Sequence, residues 1–277
     1  MWKKLWQHFL TDQSILQQMQ RSLADLKKEY WLQYCLEIGP WEWALTKRLK
    51  SVFDTKNIIA FEADLTLENK IAKFFPLEQV VWGDVLGQRI ELIANGEQLT
   101  ANKKIYVNWT NTWFKAQQTL ICWNLPYYIT SPILRKFFEQ WQFGHGWFLI
   151  QKEVADKIAS DAKKKSFLRW IMNYHYEVET IIAVPPEAFS PPPRVDSAVI
   201  VVRKQAIRRS FSLQQLTWFL ELVNQYSRKT LWKCIKLLAK HNIVVDIPEA
   251  LRWKRVEELK WDEMEQIVNS EQLVVNS

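Results

Sequence analysis

Residues 35–49 decide the fold: Cys35-Leu36-Glu37-Ile38-Gly39-Pro40, then Trp41-Glu42-Trp43, then Ala44-Leu45-Thr46-Lys47-Arg48-Leu49. The first four residues form a short, mostly apolar run and predict a strand. Gly39-Pro40 marks a turn, and Ala44–Leu49 opens a helix. A strand passing through a tight glycine turn into a helix is the opening unit of a wound α/β sheet. Such a turn is also where backbone amides approach a ligand.

The same alternation continues along the chain. Ser14–Tyr30 reads as an amphipathic helix, with Ile15, Leu16, Met19, Leu23 and Leu26 on one face. Further strands are predicted over Asn57–Phe61, Gln79–Trp82, Thr119–Trp123 and Trp147–Gln151. Helices follow around Leu67–Phe75, Pro132–Gln140 and Lys152–Ser160. Glu177–Val184 and Val195–Arg203 are β-rich and bracket a proline-rich loop, which suggests an antiparallel pair at one edge. From Phe211 onward the spacing of Leu216, Phe219, Leu220 and Val223 is helical. Residues 93–118 are polar and fit a hairpin insertion. The whole predicts an α/β fold with a Rossmann-like, mostly parallel seven-stranded sheet and a small C-terminal helical domain. The expected division is 1–205 and 206–277.

Composition narrows the function. No window approaches a run of ~18 uninterrupted apolar residues, so a transmembrane span is not expected. Met1–Leu10 mixes Lys, Gln and His among its apolar residues, unlike a secretory signal. Cys35, Cys122 and Cys234 are widely spaced along the chain, with no CxxC. That pattern fits a reduced, cytoplasmic setting without a disulfide framework or a metal site. The net charge of +7 favours a polyanionic partner. The basic residues cluster as Lys163-Lys164-Lys165, Arg203-Lys204, Arg208-Arg209, Arg228-Lys229, and Lys233 with Lys236. Lys163, Lys164, Lys165, Arg228, Lys229 and Lys233 are the candidate RNA contacts.

In open α/β sheets ligands sit at the carboxyl ends of the strands. Four predicted strand ends carry suggestive residues: Leu36-Glu37-Ile38-Gly39-Pro40, Phe61-Glu62, Gly83-Asp84, and Asn124-Leu125-Pro126-Tyr127. Glu62 suits ribose hydroxyls and Asp84 an exocyclic adenine amine. Taken singly, each also fits an ordinary loop. In order on successive strands they fit a nucleoside-cofactor site. His175, within Tyr174-His175-Tyr176, reads as structural.

Along nearly its whole length the chain resembles the KsgA/RsmA family of ribosomal RNA adenine dimethyltransferases. Gln7-His8-Phe9-Leu10 is similar to the family's N-terminal segment, which closes over the cofactor. Leu36–Thr46 resembles its glycine-rich cofactor loop, and Asn124–Tyr127 its N-L-P-Y catalytic motif, followed by Ile129-Thr130-Ser131-Pro132. Gln151-Lys152-Glu153-Val154-Ala155 and Ala188-Phe189-Ser190-Pro191-Pro192-Pro193-Arg194-Val195-Asp196-Ser197 match two further segments.

The resemblance implies S-adenosyl-L-methionine as cofactor, contacted by His8, Leu10, Gly39, Glu62, Asp84 and Asn124. It implies dimethylation of N6 on two adjacent adenosines in the 3′-terminal hairpin of small-subunit (16S) rRNA. The partner would be that rRNA or a 30S assembly intermediate, with the protein acting as a monomer.

The catalytic motif has a chemical logic. An adenine amine is a poor nucleophile because its lone pair is delocalised into the ring. The Asn124 side-chain oxygen and the Leu125 carbonyl can accept its two N–H bonds and draw the nitrogen toward tetrahedral geometry. Pro126 fixes the backbone so that these acceptors converge. Tyr127 offers a flat face for a flipped-out base, and the resemblance assigns Phe189 to the other face.

The chain departs from the family at glycines. Trp41 and Trp43 stand in the cofactor loop, Trp6 precedes the Gln7–Leu10 segment, and Trp123 precedes Asn124. The sequence has 16 Trp and only 6 Gly, where roughly 19 Gly are ordinary for this length. Read literally, an indole at 41 occupies space where backbone must approach the cofactor. The pattern is that expected if UGA codons meaning glycine are read as Trp, with Trp82 and Trp147 as candidate genuine tryptophans. If Trp41 and Trp43 are genuine, an inactive rRNA-binding assembly factor is the rival reading. An Erm-type methyltransferase of large-subunit rRNA is the other. A DNA adenine methyltransferase fits less well, because the basic helical region and the proline segment match the rRNA family.

Overall fold

The computed structural model describes residues 8–40, 44–87, 90–93, 104–107, 113–124, 130–138, 143–161, 165–241, 243–269 and 274–275. The sheet strands are β1 (Tyr34–Ile38), β2 (Ile58–Glu62), β3 (Val80–Trp82), β4 (Thr119–Asn124), β5 (His145–Gln151), β6 (Tyr176–Val184) and β7 (Ser197–Lys204). They lie in the order β6-β7-β5-β4-β1-β2-β3. β1 pairs in parallel with β2 and β4, as do β2 with β3 and β4 with β5, while β7 runs antiparallel to β5. This is the expected mostly parallel, seven-stranded sheet, with β6 and β7 adjacent at one edge.

The strand order reverses at β1, so the crevice beyond the carboxyl ends of β1 and β4 is where this topology places a ligand. Both faces of the sheet are covered. Cys35, Ile58, Leu120, Cys122, Leu149 and Val199 join one buried cluster with Leu16, Met19, Leu23 and Leu26. Those four leucine and methionine side chains come from α1 (Gln13–Glu29). Residues one step along each strand point the other way, where Phe148 meets Phe137 edge-on at 5.4 Å. Each such side chain, fully buried, contributes roughly 1.5–3 kcal/mol.

Local chemistry sets the ends of α1. Asp12 caps it by accepting from the Ile15 N–H at 2.9 Å. At its other end the Leu32 N–H returns to the Lys27 carbonyl at 3.0 Å, and Leu32 is buried. This closes a Schellman motif, whose intervening residue must be left-handed. That residue is Trp31, with φ 54°. A side chain in this conformation costs roughly 1–2 kcal/mol.

Several boundaries differ from expectation. The helix opening at Ala44 is α2 (Ala44–Val52), and the helix predicted over Lys152–Ser160 is α5 (Lys152–Ile158). The helix predicted around Leu67–Phe75 is the single turn α3 (Glu68–Ile71), which Pro76 follows. The hairpin expected over 93–118 is a three-stranded antiparallel sheet, Ile90–Ile93, Lys104–Val107 and Trp113–Lys115. Cys35 and Cys122, distant in sequence, sit on neighbouring strands as free, buried thiols with sulfurs 3.3 Å apart.

The chain divides into two compact units, Met1–Asp156 with Glu177–Lys204, and Lys157–Tyr176 with Gln205–Ser277. The expected cut at 205/206 did not assign Lys157–Tyr176 to the second unit. Those residues belong there because the side chains of this stretch bond within it. The Tyr174 hydroxyl donates to the Phe211 carbonyl, and the Trp170 ring lies edge-on to Trp261 at 4.6 Å. This unit holds α6 (Phe167–Met172), α7 (Leu213–Asn224), α8 (Leu231–Ala239) and α9 (Trp261–Val268), plus a short pair of strands, Ile243–Val244 with Val274–Val275. Among the described residues no helix is long and apolar enough to cross a membrane.

Candidate active site

The site is built from the carboxyl ends of parallel strands. Ile38 at the end of β1 lies beside Phe61 of β2 and Trp123 of β4, and Glu62 lies beside Trp82 of β3. Asn124 lies beside Leu149 of β5. Gly39, Glu62, Gly83-Asp84 and Asn124 therefore stand along one edge, as the strand-by-strand reading anticipated.

Two glycines make the edge possible. Gly39 has φ 63° and donates its N–H to the Phe61 carbonyl at 2.8 Å. Gly83 has φ 127° and donates to the Glu62 carbonyl at 2.8 Å. Each turn leaves its strand by bonding back onto the neighbouring one, in a conformation that favours glycine.

The acids are held differently. Glu62 is buried and its Oε1 accepts the Asp64 N–H at 2.8 Å. Burial pushes its carboxyl pKa upward, opposed by the backbone N–H groups of Asp64 and Ala63. Asp84 is exposed, and its Oδ1 accepts the Leu86 N–H at 2.9 Å, shaping the turn it begins. Lys136, on α4 (Thr130–Lys136), donates to the carbonyls of Val85 at 3.3 Å and of Leu86. Its ammonium thus lies behind the Asp84 turn, and burial lowers its pKa.

Glu37 and Thr46 lie within the segments quoted from the sequence, but the sequence assigned neither a role. The Thr46 hydroxyl lies 2.8 and 2.9 Å from the two carboxyl oxygens of Glu37, and both side chains are buried. Burial raises the Glu37 pKa to about 8, so at neutral pH the carboxyl is mostly protonated. The available signal was an acid inside an otherwise apolar strand. Its partner nine residues on is invisible in one dimension.

Two distant segments meet. Phe9–Leu10 pairs antiparallel with Phe189–Ser190, and the Ala188 carbonyl accepts the Thr11 N–H at 2.8 Å. His8 Nδ1 lies 2.6 Å from the Pro191 carbonyl, which only accepts, so that nitrogen carries the proton. The Ser190–Pro191 peptide is cis. Leu10 and Phe189 point into the same buried cluster. Phe189 is 4% exposed, so in this conformation its ring presents no open face to a base. The side chain was expected to stack. Packing against the N-terminal strand, far away in sequence, puts it in the core instead.

Leu125, Pro126, Tyr127, Trp6, Trp41 and Trp43 lie outside the described residues, as do Lys163 and Lys164. Lys165 departs from its expected RNA role. Its ammonium donates to the Leu259 carbonyl at 2.7 Å and lies 5.4 Å from the centre of the Trp170 ring, and burial lowers its pKa. It ties its own unit together rather than facing a ligand. Arg209 is engaged similarly, 3.4 Å over Trp261 and bonded to the Asn173 and Tyr174 carbonyls. Arg228, Lys229 and Lys233 are exposed, as are Lys236 and Lys240. Lys229, Lys233, Lys236 and Lys240 recur at four- and three-residue steps, which puts the α8 members on one helix face. Among the described residues no cluster of three or more His, Cys, Asp or Glu is placed to hold a metal ion.

Comparison with known proteins agrees with this geometry. The family model described as Ribosomal RNA adenine dimethylase matches residues 2–273. A ribosomal RNA small subunit methyltransferase A from Francisella tularensis subsp. novicida is 31% identical over 246 residues, covering 86% of this chain and 84% of that protein. Its namesake from Clostridium acetobutylicum is 30% identical over 245 residues, covering 84% and 79%. The crystal structure of a dimethyladenosine transferase from Plasmodium falciparum matches with a TM-score of 0.64 at 18% identity, over 94% of this chain and 96% of that one. That of the 23S rRNA methyltransferase ErmE matches at 0.56 and 19%, over 94% and 99%. With strand ends, glycine turns and family match in agreement, this chain belongs to the ribosomal RNA adenine dimethylase family, methyltransferases that draw on S-adenosylmethionine.

Proposed function

We propose that the protein dimethylates N6 of two adjacent adenosines in the 3′-terminal hairpin of small-subunit rRNA, acting as a monomer on a 30S assembly intermediate in the cytoplasm. The observation that carries this reading is the gathering of Gly39, Glu62, Asp84 and Asn124 at one sheet edge. The names of the relatives at 30–31% identity favour the small subunit over the large.

The residues suit S-adenosylmethionine. The Gly39 and Gly83 turns bring bare backbone to the edge, where a side chain would intrude. Glu62 suits the ribose hydroxyls and Asp84 the adenine amine of the cofactor. Leu10 and His8 belong to the segment that would cover it. When bound, S-adenosylmethionine supplies an electrophilic methyl group.

The protein's own contribution is to position the target. Asn124 accepts a hydrogen bond from the target N6 amine through its side-chain oxygen, and Leu125 a second through its carbonyl. Together they hold the nitrogen lone pair in line for displacement. Pro126 stiffens the turn and Tyr127 stacks on the flipped base. The product ammonium is acidic and loses its proton to water, so no protein base is required. Phe189 reaches a base only if the Phe9–Leu10 strand lifts away.

RNA is held by the second unit through exposed Arg228, Lys229 and Lys233, joined by Lys236 and Lys240. The test is to supply the protein with methyl donor and each unmodified ribosomal subunit, then map methylation by primer extension. Stops at two adjacent adenosines near the 3′ end of the small-subunit RNA support the proposal. Stops only in the large-subunit RNA would establish the Erm-type activity instead.

A further inference from the structure

We infer that the tryptophans at positions 31, 41, 43 and 123 stand where the cell that makes this protein inserts glycine, through a genetic code in which UGA specifies glycine. The structural observation behind this is Trp31. Among the described residues it is the one non-glycine with a positive φ, 54°, a region shared with Gly39 and Gly83. It occupies the left-handed position of the Schellman motif that ends α1, between Tyr30 and the buried Leu32. That position selects glycine because a Cβ crowds the following carbonyl.

Among the described residues nothing at the site offsets the strain. Trp31 is 80% exposed, so its indole gains almost no burial. Other tryptophans are anchored. Trp147 is buried and its Nε1 donates to the Ser22 hydroxyl at 3.0 Å, and Trp261 is covered by Arg209 at 3.4 Å. Trp123 is buried and stacked on Phe148, ring centres 3.5 Å apart, and an unpaired buried indole N–H occurs both there and at Trp170, so burial alone does not sort the two classes. Backbone conformation does so at Trp31.

Position 31 lies outside every motif that raised the question, so it is independent of positions 41, 43 and 123. At 31 tryptophan holds a glycine's conformation, and at 41, 43 and 123 it stands where the resemblance to the family implies glycine. Selection for different functions at four places would not choose tryptophan each time, whereas a reassigned codon does. The overall surplus of Trp and shortage of Gly follow from the same cause. The consequence reaches the cofactor loop that the resemblance implies: glycine at 41 and 43 leaves no indole in that loop. The inactive-factor reading then loses its premise.

The inference does not depend on the proposed reaction, and neither test reads methyl transfer. Mass spectrometry of the tryptic peptide Glu29–Lys47, from protein isolated from the cell that encodes it, is expected to show glycine at 31, 41 and 43. Tryptophan at 31 overturns the inference. Glycine at 31 with tryptophan at 41 and 43 overturns its extension to the cofactor turn. Separately, recombinant protein carrying Trp31→Gly is expected to melt about 2–4 °C above the Trp31 form. An equal or lower midpoint overturns the conformational argument.

Discussion

The Thr46 hydroxyl bonds to the buried carboxyl of Glu37, joining the end of β1 to the next helix, α2 (Ala44–Val52). The bond bridges the two flanks of residues 39–43. The turn therefore emerges from a fixed frame, although neither residue needs to touch a ligand.

Removing half of the pair exposes its worth. Thr46→Val keeps the shape but leaves a buried carboxyl unsatisfied, and is expected to cost about 1–3 kcal/mol. Glu37→Gln retains an amide of similar size and has no titration. The Glu37 pKa is raised from 4.5 to about 8, so its contribution to stability is full below 4.5 and declines as pH rises through 8. Urea unfolding at pH 5 and pH 8.5 should show the parent losing more stability than Glu37→Gln across that interval. Parallel losses would show that Glu37 is not buried as a neutral acid.

His145 imposes the opposite dependence. It sits at the start of β5 beside Tyr30, ring centres 4.2 Å apart, and burial depresses its pKa from 6.5 to about 4. Its contribution is present above 6.5 and is lost as pH falls toward 4, on the order of 2 kcal/mol by pH 5. His145→Phe should flatten that part of the profile between pH 7 and pH 5. An unaltered acid limb would assign it to other groups.

Asn124 ends β4 at the sheet edge. Asn124→Ala should lower methyl transfer by roughly 10²-fold or more, by the precedent of removing one transition-state hydrogen-bonding group. Binding of small-subunit RNA should change little, because the proposed RNA contacts belong to the second unit. Filter binding and methyl incorporation, measured on the same preparation, separate the two. Undiminished turnover would end the catalytic assignment.

The basic stripe makes a salt-dependence prediction. Lys229→Glu, Lys233→Glu and Lys240→Glu together should weaken RNA binding and flatten its dependence on salt, by roughly 0.7–0.9 in log–log slope for each phosphate no longer neutralised. Lys165→Glu should instead destabilise the second unit, because that ammonium holds the Leu259 carbonyl. Unchanged affinity and slope in the triple variant would move the RNA interface elsewhere.

The sequence by itself determined the sheet, its parallel character and the strand ends that gather Gly39, Glu62, Asp84 and Asn124 at one edge. Each of those rests on short-range order: apolar runs at strand length, glycine turns, and polar residues placed immediately after strands. The tertiary structure alone decided which polar groups are spent. Lys165, one of the predicted RNA contacts, turned inward because Leu259 lies 94 residues on and its carbonyl accepts the ammonium's hydrogen bond. Phe189 sank into the core because Leu10 pairs with it, and Cys35 met Cys122 because β1 and β4 are neighbours. Lys157–Tyr176 joined the second unit for the same kind of reason. Contacts between distant segments leave no periodicity for a one-dimensional reading to detect. Trp31 shows both levels at once: composition revealed that tryptophan was too frequent, and only the backbone conformation showed that one of them occupies a glycine's place.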